Sequence, residues 1–506
     1  MSFKKIISAV LLSAFVTATF AGCSNSDTQT ADEATVKISS SSTSSNADDS
    51  STDDEMFTAR DKEIGYDESE CETITLSDNA STSSLKSVKI DGNTITVSEE
   101  GTYIVSGTLS DGQIIIDGDK SEKIRLILDG VTINSNAGAP IYVKQTDKLF
   151  ITLAESSKNV LTNNKQFTAD GDNNVDAVIF SKDDITLNGN GSLEITTNCG
   201  HGIVSKDDLK ITSGTYSITS SSHALDGKDS MRIASGTFTL NSDKDGINSE
   251  NADDTSLGFI YIAGGTFRIT SDGDGMDASA YLTILDCNAT IKSGGGASNA
   301  EKKQEEFGRM EDASSSTDSD TASAKGIKAG GNLTISGGTL SLDCADDAVH
   351  SNADISISNG NLTIATGDDG IHADSSLKIS GGTIVAVGMS GMTQNFGSSS
   401  TQGSILSNTA TNTSGEVVLK DSNGNVLVSF TPTREYNSVV VSTPDVKKGS
   451  TYTLTTGDSS TTIEMSDIIY GESTQGGAPN GGGQGGLNGR GQAPNGNMGG
   501  GFGNRP

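Results

Sequence analysis

Tryptophan is absent from this chain, and the other aromatic residues are sparse. The 506 residues include 9 Tyr and 14 Phe, and only 33% of them are hydrophobic, whereas 60 are glycine. That supply of apolar side chains is small for one large globular core but adequate for stacked short strands. The composition therefore favours a repetitive β architecture.

Basic residues are also few. The chain has 34 Lys and Arg against 66 Asp and Glu, which gives a formal net charge of -32 at pH 7. A surface of that sign repels a phosphate backbone, so nucleic acid is excluded as a partner of the fold as a whole. Cations, or ligands bridged by cations, are favoured instead.

Sequence motifs of common enzymes are missing as well. The chain contains no P-loop, no nucleophile motif and no cofactor fingerprint, and its many Asp residues single out no carboxylate pair for glycoside hydrolysis. Cys71, Cys199, Cys287 and Cys344 lack metal-ligand spacing. They therefore indicate neither a zinc site nor a disulfide framework.

The N-terminus has the pattern of a targeting segment. Two lysines precede an apolar run from Ile6 to Phe20, and Ala-Gly-Cys follows it. This order is typical of a signal peptide, here residues 1–22. Because the Cys resembles the lipobox residue of bacterial lipoproteins, we expect Cys23 to be lipidated and the protein to lie outside the cell, anchored at its surface. Ordinary secretion with an incidental Cys23 is the alternative.

Two segments have the composition of disordered chain. Residues 23–72 are rich in Ser, Thr, Asp and Asn, which favours a spacer that holds the domain off the membrane. Residues 471–506 are rich in Gly with Pro and Asn between, which favours a flexible tail.

A repeat of about 22 residues occupies the middle of the chain. Its units start at a common position, here called position zero, at Asp176, His201, His223, Asp245, Asp274, Lys325, Asp347 and Asp369. Apolar residues follow at offsets 2, 8, 10, 15 and 17. Pairs separated by two residues indicate strands, and a fixed period of this length indicates a solenoid.

The repeat predicts an all-β fold, a parallel β-helix with three short strands per rung. We expect it to span residues 73–403, with a charged loop inserted at 292–324. Less regular strands at its N-terminal end are expected to cap the stack. Residues 404–470 contain VVLKDSNGNVLVSF, two apolar strands around a turn, and predict a C-terminal β cap.

Stacked rungs turn a repeated residue into a column, because neighbouring strands lie about 4.8 Å apart. Carboxylates stacked this closely repel one another unless a cation lies between them, and Ca²⁺ prefers such oxygen ligands. We therefore predict calcium at two acidic groups. The first comprises Asp243, Asp245, Asp272, Asp274 and Asp277, and the second comprises Asp346, Asp347, Asp368, Asp369 and Asp374. Asp as an ordinary turn residue before Gly is the alternative for any single position.

The four histidines fall in two predicted stacks. His201 and His223 share position zero, and His350 and His372 share offset 3. Because no Cys stands at these offsets, hydrogen bonding in turns is favoured over a transition-metal site. A further column predicts ligand contacts: Lys210, Arg232 and Tyr261, with Tyr281 one rung on, could hold a sugar carboxylate and a sugar face. For any one of these residues, an exposed long side chain that serves solubility is the alternative.

Several stretches together resemble a known family. They are GIVSKDDLKITSGTYSI, KGIKAGGNLTISGGTLSL and DDAVHSNADISISNGNLTIATGDDGIHADSSLKISGGTI. They resemble the bacterial secreted carbohydrate-binding β-helix family, which is similar in architecture to calcium-dependent pectate lyases. The resemblance implies a right-handed parallel β-helix, calcium at Asp-rich turns, and binding of acidic plant polysaccharide such as polygalacturonate or pectin, with cellulose as a further polymer. Because the chain has no Trp, a calcium ion that bridges the protein to a uronate is favoured over an aromatic platform as the mode of polysaccharide binding.

Binding by a monomer is favoured over catalysis, but two other functions stay open. A calcium-dependent polysaccharide lyase would need a Lys or Arg base with a lowered pKa, and Lys228 and Lys206 are the candidates. A surface adhesin for other glycans or proteins fits the anchor, spacer and solenoid equally well.

Overall fold

The computed structural model describes residues 36–38, 55–136, 138–171, 174–299, 323–389 and 393–473. The signal peptide, Cys23, most of the spacer, most of the inserted loop and almost all of the tail lie outside these ranges. The described chain is all-β, and its sheets are mostly parallel. Two short 3-10 helices, Glu68–Glu70 and Ala297–Asn299, join the strands in this part of the chain.

Most strands pair in parallel with the corresponding strand of the next repeat, and they form three ladders. Ladder A is a twelve-stranded sheet in which only the first pair is antiparallel. Its strands are Lys89–Asp91, Thr94–Val97, Gln113–Asp117, Ile141–Gln145, Ala177–Ser181, His201–Ser205, Leu225–Gly227, Ile247–Ser249, Met276–Ala278, Ile327–Ala329, Val349–Ser351 and Ile371–Ala373.

Ladders B and C follow ladder A in each repeat. Ladder B comprises Lys148–Leu153, Asp184–Gly189, Asp208–Ile211, Ser230–Ile233, Phe259–Ile262, Leu282–Ile284, Leu333–Ile335, Ile355–Ile357 and Leu377–Ile379. Ladder C comprises Lys158–Asn163, Ser192–Thr197, Thr215–Ser220, Thr237–Ser242, Thr266–Ser271, Asn288–Ser293, Thr339–Cys344, Asn361–Thr366 and Thr383–Gly388. Both ladders start from the long strand Lys123–Ser135, which pairs with Gly101–Leu109, and that strand pairs in turn with Glu72–Leu76.

The core runs along the inside of the ladders. Residues at one offset pair across successive rungs, as in Ile327 with Val349 and Val349 with Ile371. Tyr216, Phe238 and Phe267 stack in one interior column, with ring centroids 5.2 and 4.7 Å apart. This register confirms the predicted inward offsets from His201 onward, because buried side chains at equivalent positions must lie over one another.

The first repeat unit is aligned one residue differently from the prediction. Ala177 pairs with His201, so Ala177 rather than Asp176 occupies position zero. The strand Ala177–Ser181 is buried at every residue, and both alignments therefore place an apolar residue inside. The pairing with His201–Ser205 determines the register that the apolar pattern left ambiguous.

The turn between ladders B and C requires glycine at most rungs. Gly236 has φ of 142°, and a Cβ there would lie 2.8 Å from the Phe238 ring. Cys287 stands at this turn in the rung of Asp274 and pairs with the turn of Gly338 in the next rung. It is buried, as expected for a structural thiol, and burial raises its pKa to about 12.

Antiparallel strands lie at the N-terminal end of the ladders and at the C-terminal end of ladder C. At the N-terminal end, Glu72–Leu76 pairs with Thr82–Ser83. At the other end, Thr383–Gly388 pairs with Tyr436–Ser442, which also pairs with Ser404–Thr413, and Ile469–Tyr470 joins the latter in parallel. A separate antiparallel sheet contains Val36–Ile38, Val426–Phe430, Val417–Asp421, Thr451–Thr456 and Ser459–Glu464. The predicted hairpin around the Ser-Asn-Gly-Asn turn is thereby confirmed.

Two predicted boundaries differ from the structure. Lys292 and Ser293 complete a strand of ladder C, so the insertion begins after Ser293 rather than at 292. Residues 56–66, assigned to the spacer, instead lie along ladder B as a strap, with Phe57 and Asp61 buried. The strap is ordered because its polar groups are hydrogen-bonded by the ladder, which composition alone does not reveal.

Candidate functional site

The Asp residues at position zero connect successive rungs through the backbone. One carboxylate oxygen of Asp245 accepts the N–H of Asp274 at 2.7 Å, and one oxygen of Asp274 accepts the N–H of Lys325 at 2.6 Å. Asp347 accepts the N–H of Asp369 in the same way at 3.2 Å. These Asp residues therefore act as turn residues through one oxygen, while the second oxygen of each faces a lysine or histidine side chain.

The first acidic group is neutralised in part by a lysine. Lys328 Nζ lies 2.7 Å from Asp277 Oδ2 and 3.3 Å from Asp274 Oδ2. Burial, together with repulsion from Asp274 and Asp245, outweighs Lys328 and raises the pKa of Asp277 to about 6. Asp245 faces His223 at 3.0 Å instead. The other two members, Asp243 and Asp272, are exposed, so the five predicted ligands do not converge on one point.

The second acidic group is more compact. Asp346, Asp347 and Asp368 each offer a carboxylate oxygen within 4.8 Å of the others. Asp369 is 1% exposed, and its Oδ1 has no hydrogen-bond partner among the described residues. Lys325 Nζ lies 2.6 Å from Asp346 Oδ2 and 3.7 Å from Asp347 Oδ2. An orphaned buried oxygen beside three converging carboxylates is the arrangement that an oxygen-preferring cation fits.

The electrostatics of this group also favour a cation. Burial, followed by repulsion from Asp347, Asp369 and Asp346, raises the pKa of Asp368 to about 6, although Lys325 opposes the shift. Asp374, predicted as a further ligand, is exposed and its Oδ1 lies 3.2 Å from His372 Nε2. The hydrogen bond with Asp369 outweighs burial and raises the pKa of His372 to about 9.

Both predicted histidine pairs stack. The rings of His350 and His372 lie 5.2 Å apart, and their Nδ1 atoms lie 2.9 Å from Asp347 and 3.0 Å from Asp369. Their Nε2 atoms face side-chain oxygens of Asn352 and Asp374. Because each ring nitrogen has an oxygen neighbour, hydrogen bonding accounts for this pair. The rings of His201 and His223 lie 5.1 Å apart.

A third acidic group escaped the sequence analysis. Carboxylate oxygens of Asp184, Asp207 and Asp208 lie within 4.8 Å of one another where strands of ladder B begin. Burial and repulsion from Asp184 and Asp229 raise the pKa of Asp207 to about 7. The repeated Lys-Asp-Asp triplets at 182–184 and 206–208 are the sequence signal that could have located it.

The predicted ligand-binding column is in register but covered. Lys210 pairs with Arg232 and Arg232 with Tyr261 along ladder B, as the repeat predicted. Lys210 is 7% and Tyr261 3% exposed. Phe57 of the strap lies 6.2 Å from the Tyr261 ring, and Arg232 donates a hydrogen bond to the Met56 carbonyl at 3.4 Å. The strap therefore occupies the side of this column that a polymer would need.

Tyr281 packs against the cluster of Phe57, Phe259 and Tyr261, and the two candidate bases lie outside that cluster. Tyr281 is half-buried and stacks on Phe259 with ring centroids 4.6 Å apart. Lys228 Nζ lies 2.8 Å from Asp253, and that hydrogen bond raises the pKa of Lys228 instead of lowering it. Lys206 Nζ lies 5.6 Å from the centre of the Phe180 ring.

Long ladders of stacked strands with clustered carboxylates at their turns define a class of repetitive β protein that can present an extended surface to a polymer. A family model for carbohydrate-binding domain-containing proteins matches residues 91–370, more than half of the chain. The chain belongs to that family.

Two known proteins are similar to parts of the chain. A carbohydrate-binding domain-containing protein of Acetivibrio thermocellus is 38% identical over 143 residues, which are 28% of this chain. The match covers 50% of the length of that relative. A solved structure of a polysaccharide lyase-like protein from C. thermocellum, a gadolinium derivative, is 30% identical with a TM-score of 0.45, and the match covers 52% of this chain and 96% of that one.

Proposed function

We propose that this protein binds acidic polysaccharide of the polygalacturonate or pectin type through calcium held at the second acidic group. The observation that carries the proposal is the convergence of Asp346, Asp347 and Asp368 beside the unpartnered Oδ1 of buried Asp369. Membership of the carbohydrate-binding family supports a polysaccharide as the ligand. Cellulose is the second polymer in this proposal.

The charges around this group fit a divalent cation. Asp346, Asp347, Asp368 and Asp369 supply four carboxylates, while Lys325 and protonated His372 supply two positive charges. Ca²⁺ takes about 6 to 8 oxygen ligands, more than three converging carboxylates provide. A uronate carboxylate of the polymer and water would complete that shell, which links metal binding to ligand binding.

The scaffold in this proposal is a right-handed parallel β-helix with rungs of about 22 residues. The parallel pairing of each strand with its counterpart one repeat later supports it. Such a scaffold places the turn carboxylates of neighbouring rungs about 4.8 Å apart, which is close enough to share one ion.

A cell-surface lipoprotein is the proposed context, with the signal peptide 1–22 and lipidated Cys23 as predicted from sequence. Among the described residues, no helix is long and apolar enough to span a membrane. The domain acts as a monomer in this proposal, and the surface adhesin remains the alternative if no polysaccharide binds.

Binding is favoured over lyase activity by the surroundings of the candidate base. A lyase base must lose its proton near neutral pH, and the Asp253 partner holds the proton on Lys228. The proposed function therefore assigns no catalytic role to Lys228 or Lys206.

Sedimentation with insoluble polygalacturonate tests the proposal. The mature chain is mixed with the polymer in calcium and then in a chelator, while the absorbance of unsaturated uronates is followed. We expect binding in calcium, at least tenfold weaker binding in chelator, and constant absorbance. Rising absorbance would replace binding with lyase activity, and absence of binding in calcium would overturn the proposal.

A matched pair of variants locates the site. Asp346→Asn with Asp368→Asn removes two converging carboxylates, whereas Asp243→Asn with Asp272→Asn removes the same charge from exposed turns of the first group. Calcium-dependent binding should fall at least tenfold in the first variant and stay unchanged in the second. Equal loss in both would indicate a general effect of surface charge.

A further inference from the structure

The outer face of ladder C presents hydroxyl side chains in register. From Thr215–Ser220 to Thr339–Cys344, five successive strands alternate buried inward residues with outward polar ones. The first outward column contains Thr215, Thr237, Thr266, Asn288 and Thr339. The second contains Ser217, Thr239, Arg268, Thr290 and Ser341.

This face is open to solvent. All five residues of the first column are exposed, and so are Ser217, Thr290 and Ser341 of the second. The hydroxyls of Thr215, Thr237 and Thr266 have no hydrogen-bond partner among the described residues. The outward column of ladder B differs, because the strap covers Lys210 and Tyr261 there.

The face is also nearly neutral, whereas the chain as a whole is acidic. Between Ser192 and Asp343, the outward positions of ladder C carry Glu194, Arg268, Lys292 and Asp343 as their only charged residues, two of each sign. The chain as a whole has a formal net charge of -32. The outward charges of this face balance, so a charged polymer gains no net electrostatic attraction from them. A neutral polymer loses nothing by comparison, whereas the acidic turns of ladder A attract cations.

We infer that the outer face of ladder C is a flat, metal-independent binding surface for the ordered surface of a neutral polysaccharide. Hydroxyls act as both donors and acceptors, so a column of them can pair with the hydroxyls of a sugar chain. Their spacing of about 4.8 Å is fixed by the backbone ladder, and short side chains lose little entropy on binding. The inference rests on the family's carbohydrate binding and not on calcium.

Binding to microcrystalline cellulose in the presence of a chelator tests this surface. The triple variant Thr215→Val, Thr237→Val and Thr266→Val removes three hydroxyls while keeping β-branched side chains that suit a strand. We expect its chelator-resistant binding to be at least tenfold weaker than that of the natural chain. Thr239→Asp, which puts a charge at the centre of the face, should have the same effect.

The matched control removes hydroxyls from another ladder. Thr283→Val, Thr334→Val and Ser356→Val alter the outward column of ladder B, and this variant should bind cellulose normally. Unchanged binding by the ladder C variants, or no binding of the natural chain in chelator, would overturn the inference. Calcium-dependent sedimentation with polygalacturonate is read separately, so failure of the calcium proposal is distinguishable from failure of this one.

Discussion

Asp61 Oδ1 lies 2.7 Å from Lys148 Nζ, and both side chains are almost fully buried. The same oxygen accepts a hydrogen bond from the Thr186 hydroxyl at 2.7 Å. The Asp61 carbonyl accepts hydrogen bonds from Thr212 and Asn188, so the carboxylate and the backbone are both held by ladder B. The strap is thus part of the folded domain, and it covers the outer face of ladder B between Lys148 and Tyr261.

Removing the Asp61 charge should destabilise the domain. In Asp61→Asn the Lys148 ammonium stays buried, loses its nearest carboxylate and keeps Asp184 Oδ2 at 4.0 Å; breaking a buried pair costs about 3 to 5 kcal/mol. Chemical denaturation at neutral pH measures the loss. Asp67→Asn, at an exposed residue that follows the strap, should change stability by less than about 0.5 kcal/mol. An effect as small for Asp61→Asn would show that the strap does not depend on this ion pair.

Stability should also depend on the protonation of His201. Burial, with repulsion from His223 and Lys206, lowers the pKa of His201 to about 3, whereas an unfolded histidine titrates near 6.5. As the pH falls below 6.5 the unfolded chain takes up a proton that the folded chain refuses, so folding stability is lost. At pH 5 the loss is about 2 kcal/mol.

Comparison with His201→Gln isolates that contribution. The free energy of unfolding of both proteins is measured by urea denaturation at pH 7 and pH 5. Groups that titrate in both proteins contribute equally, so their effect drops out of the difference between the two losses. We expect the natural chain to lose about 2 kcal/mol more than the variant between the two pH values. Equal losses would contradict the assignment of a neutral, half-buried His201.

Lys328 should stabilise the first acidic group. Lys328→Met leaves Asp274 and Asp277 close together without their shared cation, and we expect a loss of about 3 kcal/mol in the free energy of unfolding at pH 7. Lys378→Met, at an exposed position of ladder B, is the control and should be near neutral. Millimolar calcium is then added to all three proteins. Restored stability of Lys328→Met, with no effect on the natural chain or Lys378→Met, would show that the Lys328 ammonium neutralises the same carboxylates that a metal ion would bind.

The sequence predicted the ladders better than it predicted their surroundings. Columns such as Lys210, Arg232 and Tyr261 follow from the period alone, because equivalent residues of a solenoid stack. The strap could not be found this way, since Phe57 and Asp61 lie in a polar stretch outside the repeat and their partners are distant in the chain.

In the acidic groups too, the repeat predicts which residues stack but not which charges pair. The register stacks Asp226, Asn248 and Asp277 in one column of ladder A, because equivalent residues of neighbouring rungs pair. The compensation of Asp277 by Lys328 was missed, although Lys328 stands at offset 3 of its unit and pairs with Asp277 across ladder A. The repeat places the two residues side by side, but it does not give the position of the lysine ammonium relative to the carboxylates of Asp274 and Asp277.

Calcium titration by calorimetry tests the central claim most directly. The natural chain, the variant Asp346→Asn with Asp368→Asn, and the control Asp243→Asn with Asp272→Asn are titrated under the same conditions. The account predicts saturable calcium binding by the natural chain and the control, with at least tenfold lower affinity in the first variant. Equal affinity in all three proteins, or no calcium binding by the natural chain, would contradict it.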